Sequence, residues 1–381
     1  MKVFLVAGEP SGDRLGAALM DGLAELCDEV SFEGVGGPLM EERGLASLFP
    51  MEELSVMGIA EVLPKYPALR RRMIETADAV MTVRPDVLIT IDSPDFCLRV
   101  AKRVRHRMRI RTVHYVAPSV WAWRPGRAKA MAPHVDQVLA LLPFEPPYME
   151  AAGMRCDFVG HPVVSEPSAD PRRVRDLRMA AGEGPLVVVL PGSRRSEVSR
   201  LMPVFGAALR ELGKAHEGLS ILLPAVPHLA GMVADLSRDW PETLIVDSSD
   251  AGEKRAAFAA ADVALAASGT VSLELAKNRT PMVVAYDMSW LSWQIMHRMA
   301  LIDTVTLVNL IVGQKIVPEF LGPNCQPSKI AAALADTIEA PGAQNDALDR
   351  TMAELGEDGP APGLRAAAAV LDGLAQDKER G

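Results

Sequence analysis

Short apolar runs recur along the chain, each bounded by glycine, proline or polar residues. They cover residues 2–7, 30–35, 86–91 and 111–116, and then 186–190, 219–224, 244–246, 263–266 and 282–285. Runs of this length are typical of strands that are buried on both faces of a sheet. Segments between them, such as 15–26, carry apolar residues at helical spacing. Strands that alternate with helices predict an α/β fold with parallel, doubly wound sheets.

A segment rich in proline and polar residues, 160–171, interrupts this pattern. The alternation of strands and helices starts again after it, so we expect an interdomain linker here. The pattern predicts two α/β domains, over 1–164 and 165–344. Helices expected at about 345–381 would pack back on the first domain or on a partner subunit. A chain of 381 residues has a suitable length for two domains.

Composition narrows the class of protein. The chain is 49% hydrophobic and 23% charged, as expected for large cores, and its net charge of −9 makes general nucleic-acid affinity unfavourable. Four scattered cysteines without a CxxC pair suggest neither a zinc site nor a disulfide framework. No apolar run approaches the roughly 18 residues of a membrane span. We therefore expect a cytoplasmic protein without a metal, whose membrane contact would be peripheral.

Small residues follow two strands of the second half, at the start of a helix in each case. Backbone N–H groups left uncovered there, together with the helix dipole, favour a phosphate. Arg194 can neutralise such a phosphate, and Glu274 could accept hydrogen bonds from a ribose diol. The alternative is an ordinary strand–helix–strand crossover with a capped helix. Neither G-x-G-x-x-G nor a P-loop occurs. The residues of the two turns are Gly192 and Ser193, and Ser268, Gly269 and Thr270.

Two acids and an aromatic loop follow strands of the first half. Asp92 comes at a strand end, where ligands bind in doubly wound sheets, and it is the better candidate for a general base. Asp95 fits an N-cap or a first-turn acid of the next helix. The segment 114–123 (HYVAPSVWAW) carries Trp121 and Trp123, which suit a wall for a sugar or an acyl group.

The stretch 56–66 is apolar but is interrupted by Gly58, Pro64 and, just beyond it, Pro67. We expect an exposed apolar loop here, followed by three arginines on a helix. Such a surface suits an anionic bilayer. The alternative is a buried loop beside a solvated helix face. The candidate membrane contacts are Val62, Leu63, Tyr66, Arg70, Arg71 and Arg72.

Ten segments, in order along the chain, together resemble the lipid-A-disaccharide synthase family of glycosyltransferases. They are 7–13 (AGEPSGD), 57–62 (MGIAEV), 91–96 (IDSPDF), 114–123, 142–145 (LPFE), 159–162 (VGHP), 190–194 (LPGSR), 267–270 (ASGT) through Glu274, 308–311 (VNLI) and 317–320 (VPEF). The resemblance implies a GT-B-like architecture, with two Rossmann-like domains facing a cleft. It also implies peripheral association with the inner face of the cytoplasmic membrane and a homodimer.

The implied reaction joins UDP-2,3-diacylglucosamine to 2,3-diacylglucosamine 1-phosphate. It inverts the anomeric centre, needs neither metal nor cofactor, and gives UDP and a β-1,6-linked tetraacyl disaccharide 1-phosphate. Two alternatives are a UDP-N-acetylglucosamine 2-epimerase, which shares the fold, and a non-catalytic nucleotide-sugar-binding protein. Turnover of the UDP-sugar with and without a lipid acceptor separates all three.

The resemblance also assigns roles to residues. Asp92 is the implied base, and Asn309 joins Gly192, Ser193, Arg194, Ser268, Gly269, Thr270 and Glu274 as a donor-site candidate. Acceptor-side candidates are Glu9, Ser11, Asp13, Ser119, Trp121, Trp123 and His161. The chain departs from the family pattern twice, with Cys97 in place of an expected Asn and Gly322 in place of an expected Gln. Both departures weaken any claim for acceptor contacts at those positions.

Overall fold

The computed structural model describes residues 1–54, 59–267, 269 and 271–380. The chain forms two compact units, one of Met1–Ser165 with Leu355–Gly381, and one of Glu166–Glu354. The second unit thus extends beyond residue 344, where the sequence pattern predicted that the second domain would end. The first unit is built from two separate stretches of the chain.

Among its described residues, the first unit holds a seven-stranded parallel sheet. The strands lie in the order β3-β2-β1-β4-β5-β6-β7. They are β1 (Lys2–Ala7), β2 (Ser31–Val35), β3 (Ala46–Ser47), β4 (Val87–Ile91), β5 (Arg111–Tyr115), β6 (Gln137–Ala140) and β7 (Arg155–Phe158). The helices between them are α1 (Pro10–Leu26), α2 (Pro38–Glu41), α3 (Ile59–Val83), α4 (Pro94–Arg105), α5 (Gly126–Met131) and α6 (Pro146–Glu150).

Side chains of β1 alternate between two hydrophobic cores. Val3 and Leu5 pack in the core that includes Leu19 of α1. Phe4 packs in the opposite core, which includes Val100 of α4. Successive side chains of a strand point to opposite faces of the sheet. A strand that is apolar at every position therefore requires helices on both faces, as the sequence predicted.

The second unit repeats this architecture with a six-stranded parallel sheet among its described residues. The strand order is β10-β9-β8-β11-β12-β13. The strands are β8 (Leu186–Leu190), β9 (Ser220–Ala225), β10 (Glu242–Asp247), β11 (Val263–Ala266), β12 (Met282–Tyr286) and β13 (Glu319–Leu321). The helices are α7 (Pro171–Ala181), α8 (Arg195–Ala215), α9 (Ala230–Leu236), α10 (Ala251–Ala260), α11 (Val271–Lys277), α12 (Trp290–Met299), α13 (Leu307–Val312), α14 (Pro327–Glu339) and α15 (Gly342–Glu354).

The last helix, α16 (Pro362–Arg380), returns to the first unit and packs on α1. The two helices approach closely at Gly363, where an added Cβ would lie 2.4 Å from the carbonyl oxygen of Ala18. The side chain of Gln137 on β6 donates a hydrogen bond to the carbonyl of Ala369, at 2.9 Å. The core that contains Val3 and Leu5 thus includes residues of the last helix.

The prediction of an exposed apolar loop over 56–66 is wrong for the part that the structure describes, from Ile59 onward. Helix α3 begins at Ile59 and continues through Pro64 and Pro67 to Val83. Each proline removes one backbone hydrogen bond, but both lie in the first half of a 25-residue helix. The second half is anchored in the core by Ala77 and Val80.

Residues 56–58 and the side chains of Val62 and Leu63 lie outside the described part of the chain. Within the described ranges, no helix is both long and apolar enough to cross a bilayer.

Candidate active site

The carboxyl edge of the first sheet has a topological switch point between β1 and β4. From β1 the chain proceeds to β2 and β3 on one side, and β4 lies on the other side. Ligands of doubly wound sheets bind where the connections part in this way. Glu9 follows β1 and Asp92 follows β4, so two carboxyl groups come together at this point.

Asp92 is held in an uncommon backbone conformation, with φ of 48°, and its N–H donates to the carbonyl of Tyr115 at 2.9 Å. Its carboxyl accepts a hydrogen bond from the Ser93 N–H, also at 2.9 Å. Burial, followed by a hydrogen bond with the Glu9 carboxyl and by the Glu9 charge, raises the pKa of Asp92 to about 6, although the Ser93 N–H acts in the opposite direction. A carboxylate with this pKa is largely ionised at neutral pH and is a stronger base than an ordinary aspartate.

The turns that carry Glu9 and Asp92 approach each other closely at Gly8. A Cβ added to Gly8 would lie 2.6 Å from the hydroxyl oxygen of Ser93. Because Gly8 has no side chain, the turns after β1 and β4 can approach closely. The Ser11 hydroxyl donates to the Glu9 carboxylate at 2.8 Å, which orients that carboxylate.

Asp13 has a structural role. It is buried on α1, and its carboxylate accepts hydrogen bonds from the N–H groups of Gly37, Leu39 and Met40, at 3.0, 3.0 and 3.1 Å. These N–H groups belong to the start of α2, which has no cap of its own. Of the three predicted polar residues on this loop and helix, Glu9 alone contacts Asp92.

Asp95 lies in the first turn of α4, as predicted, but it makes no capping hydrogen bond. The N-cap position belongs to Ser93, in a left-handed conformation. The Asp95 side chain is 88% exposed and contacts Arg127 at 3.4 Å. The expectation that it caps the helix is therefore wrong.

The predicted aromatic loop follows β5, the neighbour of β4. Trp123 is 38% exposed, and its indole N–H donates to the Ser119 hydroxyl at 3.3 Å. The guanidinium of Arg124 lies 4.2 Å from the centre of the Trp123 ring. Trp121 is half-buried and its indole N–H donates to the carboxylate of Glu145, at 3.2 Å.

His161 follows β7 at the same edge. Burial lowers its pKa to about 4, and its Nδ1 accepts a hydrogen bond from the Val163 N–H at 3.2 Å. The ring is therefore neutral at physiological pH, and it contributes no positive charge for a phosphate group.

The second sheet has its own switch point, between β8 and β11. Gly192 follows β8 with φ of 103°, and an added Cβ would lie 2.5 Å from a carboxylate oxygen of Glu197, so only glycine fits here. Ser193 is exposed and Arg194 is 64% exposed at the start of α8. The guanidinium of Arg194 donates to Glu197 at 3.0 Å. The turn thus presents a guanidinium beside the N-terminus of a long helix.

Gly269 follows β11 with φ of 136° and is exposed. Ser268 and Thr270, the two other predicted residues of this turn, lie outside the described residues. Glu274 on α11 accepts a hydrogen bond from the ammonium group of Lys254, at 2.6 Å. Lys254 lies on α10 and belongs to no sequence motif, so the sequence did not indicate it.

Asn309 is buried and makes four short hydrogen bonds within the chain. Its amide nitrogen donates to Thr304 and to the carbonyl of Val317, at 3.1 and 3.0 Å. Its amide oxygen accepts from the N–H groups of Ile316 and Val317, at 3.0 and 2.9 Å. The side chain therefore fixes the turn after α13.

Both departures from the family pattern occupy crowded positions. Cys97 is buried in the core with Phe4 and Val6, and burial raises the pKa of its thiol. Gly322 has φ of 53°, and an added Cβ would lie 2.6 Å from the ring of Trp293. Cys97 thus affects packing beneath the site, and Trp293 occupies the space that a side chain at position 322 would need.

No group of three or more histidine, cysteine or acidic side chains among the described residues could hold a metal ion.

The fold is shared with solved structures of low sequence identity. A UDP-N-acetylglucosamine 2-epimerase from Neisseria meningitidis, solved with UDP-GlcNAc, matches with a TM-score of 0.62 at 12% identity, over 99% of this chain and 100% of that chain. MurG from Acinetobacter baumannii matches with a TM-score of 0.57 at 13% identity, over 98% and 99%. The predicted GT-B-like class, with two Rossmann-like α/β domains, is confirmed.

Sequence relatives are much closer. A lipid-A-disaccharide synthase from Ruegeria pomeroyi is 61% identical over 383 residues, which cover 98% of this chain and 96% of that protein. Its counterpart from Rhodospirillum centenum is 46% identical over 377 residues, covering 97% and 94%. A family model described as lipid-A-disaccharide synthetase matches residues 3–358. The chain therefore belongs to the lipid-A-disaccharide synthase family, the glycosyltransferases of lipid A biosynthesis.

Proposed function

We propose that the chain transfers the diacylglucosamine unit of UDP-2,3-diacylglucosamine to 2,3-diacylglucosamine 1-phosphate, with inversion. The 6-hydroxyl of the acceptor attacks the anomeric carbon, the bond from that carbon to the UDP oxygen breaks, and the electron pair leaves with UDP. The product is the β-1,6-linked tetraacyl disaccharide 1-phosphate. The observation that carries this proposal is the Asp92 carboxyl beside Glu9 at the switch point of the first sheet.

Asp92 takes the proton of the attacking hydroxyl in this scheme. It has the position of a ligand-binding residue, a raised pKa and, apart from the Ser93 N–H and Glu9, no partner that the structure describes for its carboxyl. A base works best when its pKa lies near the operating pH. Glu9 and burial together bring Asp92 towards that range without making it neutral.

UDP is bound by the second unit in this scheme. The turn after β8 supplies Arg194 and the N-terminus of α8, which favour the pyrophosphate without a metal ion. β11 is the neighbour of β8 in the sheet, and the turn after β11 supplies Gly269. Glu274, with its charge partly balanced by Lys254, accepts hydrogen bonds from the ribose. Asn309 supports this site by holding the turn after α13.

The epimerase alternative rests on the shared fold at 12% identity, whereas the transferase relatives reach 61%. Acceptor-independent conversion of a UDP-sugar, without UDP release, would favour the epimerase. A non-catalytic protein would bind UDP-sugar and form no product.

We propose further that the protein acts as a homodimer at the inner face of the cytoplasmic membrane. Tyr66 is 46% exposed on α3, and Arg70 and Arg71 are exposed beside it. Arg72 differs, because its guanidinium donates to Glu53 and Glu75 and lies over the ring of Phe49. The basic contact with lipid therefore depends on Arg70 and Arg71.

Sedimentation at several concentrations tests the dimer, and a monomer mass throughout would contradict it.

Asp92→Asn is expected to lower kcat by about 10²–10⁴-fold, the usual contribution of a positioned base, while UDP affinity and stability stay close to wild type. Asp95→Asn is the matched control, since its exposed side chain caps nothing, and we expect normal kcat and a change in stability within about 0.5 kcal/mol. Kinetics with a defined acceptor and thermal unfolding check both. Normal turnover in Asp92→Asn, or a loss of kcat confined to Asp95→Asn, would show that Asp92 is not the base.

Glu9→Gln is expected to shift the pH dependence of kcat/KM. In the wild type, kcat/KM should fall below about pH 6, as Asp92 becomes protonated. The Glu9 charge raises the pKa of Asp92, so its removal should move this fall to lower pH. Glu25→Gln, on the exposed face of α1, is the control. An acid limb that does not move in Glu9→Gln, measured from pH 4.5 to 8 with a range of buffers, would contradict the proposed contact.

Arg194→Ala should weaken UDP binding by about 1.5–3 kcal/mol, the range for a hydrogen bond to a charged group. Arg238→Ala is a matched control in the same unit, because Arg238 is also exposed and forms an ion pair with an acid three residues away. Isothermal titration with UDP measures both affinities. Equal affinity in wild type and Arg194→Ala would place the pyrophosphate elsewhere.

Arg70→Glu with Arg71→Glu should reduce binding to anionic vesicles by at least about tenfold, because each basic residue near such a surface contributes about 1 kcal/mol. Arg172→Glu with Arg175→Glu, on the exposed face of α7, is the charge-matched control. Vesicle sedimentation with anionic and zwitterionic lipids gives the measurement. Val62→Glu with Leu63→Glu tests the apolar residues in the same assay. Undiminished binding in both α3 variants would exclude this segment as the membrane contact.

A further inference from the structure

A buried carboxylate lies outside the proposed chemistry. Glu145 directly precedes α6 and is 4% exposed. One carboxylate oxygen accepts hydrogen bonds from the N–H groups of Leu141 and Leu142, at 3.1 and 3.0 Å. The other accepts from the indole N–H of Trp121, at 3.2 Å. The carboxylate therefore joins the turn after β6 to the loop after β5.

All three partners of this carboxylate are N–H donors. A glutamine would match them poorly, because its NH₂ group would face either the indole or the backbone donors. Burial raises the pKa of Glu145 to about 7, even though the hydrogen bonds from Leu142, Trp121 and Leu141 act to lower it. Burying an acid is costly unless it is well bonded, and these three hydrogen bonds meet that requirement.

The same short turn holds the Trp121 ring in a second way. The ring of Phe144, the residue before Glu145, lies 5.1 Å from the Trp121 ring and perpendicular to it. This edge-to-face geometry is the favoured one for aromatic pairs. Residues 144 and 145 thus fix both the polar edge and the plane of one indole.

The loop that carries Trp121 is under strain at both ends. Val116 has φ of 83° and Arg124 has φ of 49°. A β-branched residue in the left-handed region is a clear outlier, and such conformations persist only when the surroundings hold them. The Val116 N–H donates to the carbonyl of Leu139 at 3.0 Å, and Val120, within the loop, is buried in a hydrophobic core. The hydrogen bond between Glu145 and Trp121 holds the part of the loop between these ends.

The loop lies beside the proposed base. β5 is the neighbour of β4, and the Asp92 N–H donates to the carbonyl of Tyr115, the last residue before the loop. Asp92, the loop 116–125 and Glu145 therefore follow three adjacent strands at one edge of the sheet. The exposed Trp123 belongs to the same loop.

We propose that Glu145 is a positioning residue, whose carboxylate fixes Trp121 so that the loop 116–125 forms a rigid aromatic wall for the glucosamine ring of the acceptor. The inference rests on the proposed function. Glu145 contacts no reacting atom in this scheme and acts through Trp121. A wall that is already ordered before binding reduces the entropy cost of holding the acceptor next to Asp92.

The test uses Glu145→Gln and Trp121→Phe in the full-length protein. Trp121→Phe removes the indole N–H and keeps an aromatic ring against Phe144. Each variant should raise the acceptor KM by about tenfold, as the loss of one hydrogen bond of ordinary strength would, with kcat changed less than about threefold and UDP affinity unchanged. Glu150→Gln, exposed on α6, is the control and should match wild type.

Hydrogen exchange separates positioning from general stabilisation. Glu145→Gln should speed exchange in a peptide covering 116–125 and leave the peptides of β1 and β4 unchanged. The double variant should show an acceptor KM close to that of either single variant, because both changes break the same hydrogen bond, between Trp121 and Glu145. If Glu145→Gln fails to fold, Trp121→Phe carries the kinetic test alone.

An unchanged acceptor KM in folded variants, or a raised KM without faster exchange in the loop, would overturn the proposal. Fully additive effects in the double variant would also overturn it. Wild-type protein that forms no product with the acceptor would overturn the proposed function and the acceptor wall together. The exchange measurement would still decide in that case whether Glu145 fixes the loop.

Discussion

The contact between Glu9 and Asp92 is the interaction on which the proposed site depends. Two carboxyl groups in a partly buried place resist double ionisation, which raises the pKa of at least one of them. The turns that carry these two acids approach closely at Gly8, where an added Cβ would lie 2.6 Å from the Ser93 hydroxyl oxygen and would displace it. The fold also holds Asp92 and Ser93 in left-handed conformations. Function at this edge therefore constrains the backbone of two neighbouring turns.

Much of the fold could be predicted from the apolar runs. The strands over 2–7, 186–190 and 263–266 have the predicted ends, because a strand buried on both faces leaves an uninterrupted apolar run. The short strands β3, β6, β7 and β13 were not predicted. β3 has two residues and β13 has three partly buried ones, too few for a pattern. The helical start of α3 was missed because proline is a local signal, whereas the anchoring of that helix comes from residues further along it.

The candidate site could be predicted in part, and the limit is again physical. Strand order brings Glu9 to Asp92 and brings Gly269 to the side of the β8 turn, and turn residues after strands indicated both places. Lys254 and Glu145 were not assigned a role, because the contact on which each role rests, with Glu274 and with Trp121, joins residues 20 or more positions apart. Asn309 was assigned to the donor site because it stands in a motif. Its hydrogen bonds show why a motif residue can act by holding a turn.

Three carboxylates of the first unit show how partners decide the role of an acid. Asp13 accepts from three backbone N–H groups and so acts as the cap of α2. Glu145 accepts from two backbone N–H groups and an indole, so both of its oxygens have fixed donors. Asp92 has one backbone donor, and its other described partner is a second acid. A base must keep a lone pair available for a substrate proton. Of these three acids, Asp92 has the fewest fixed donors, and its pKa is raised by burial and by Glu9.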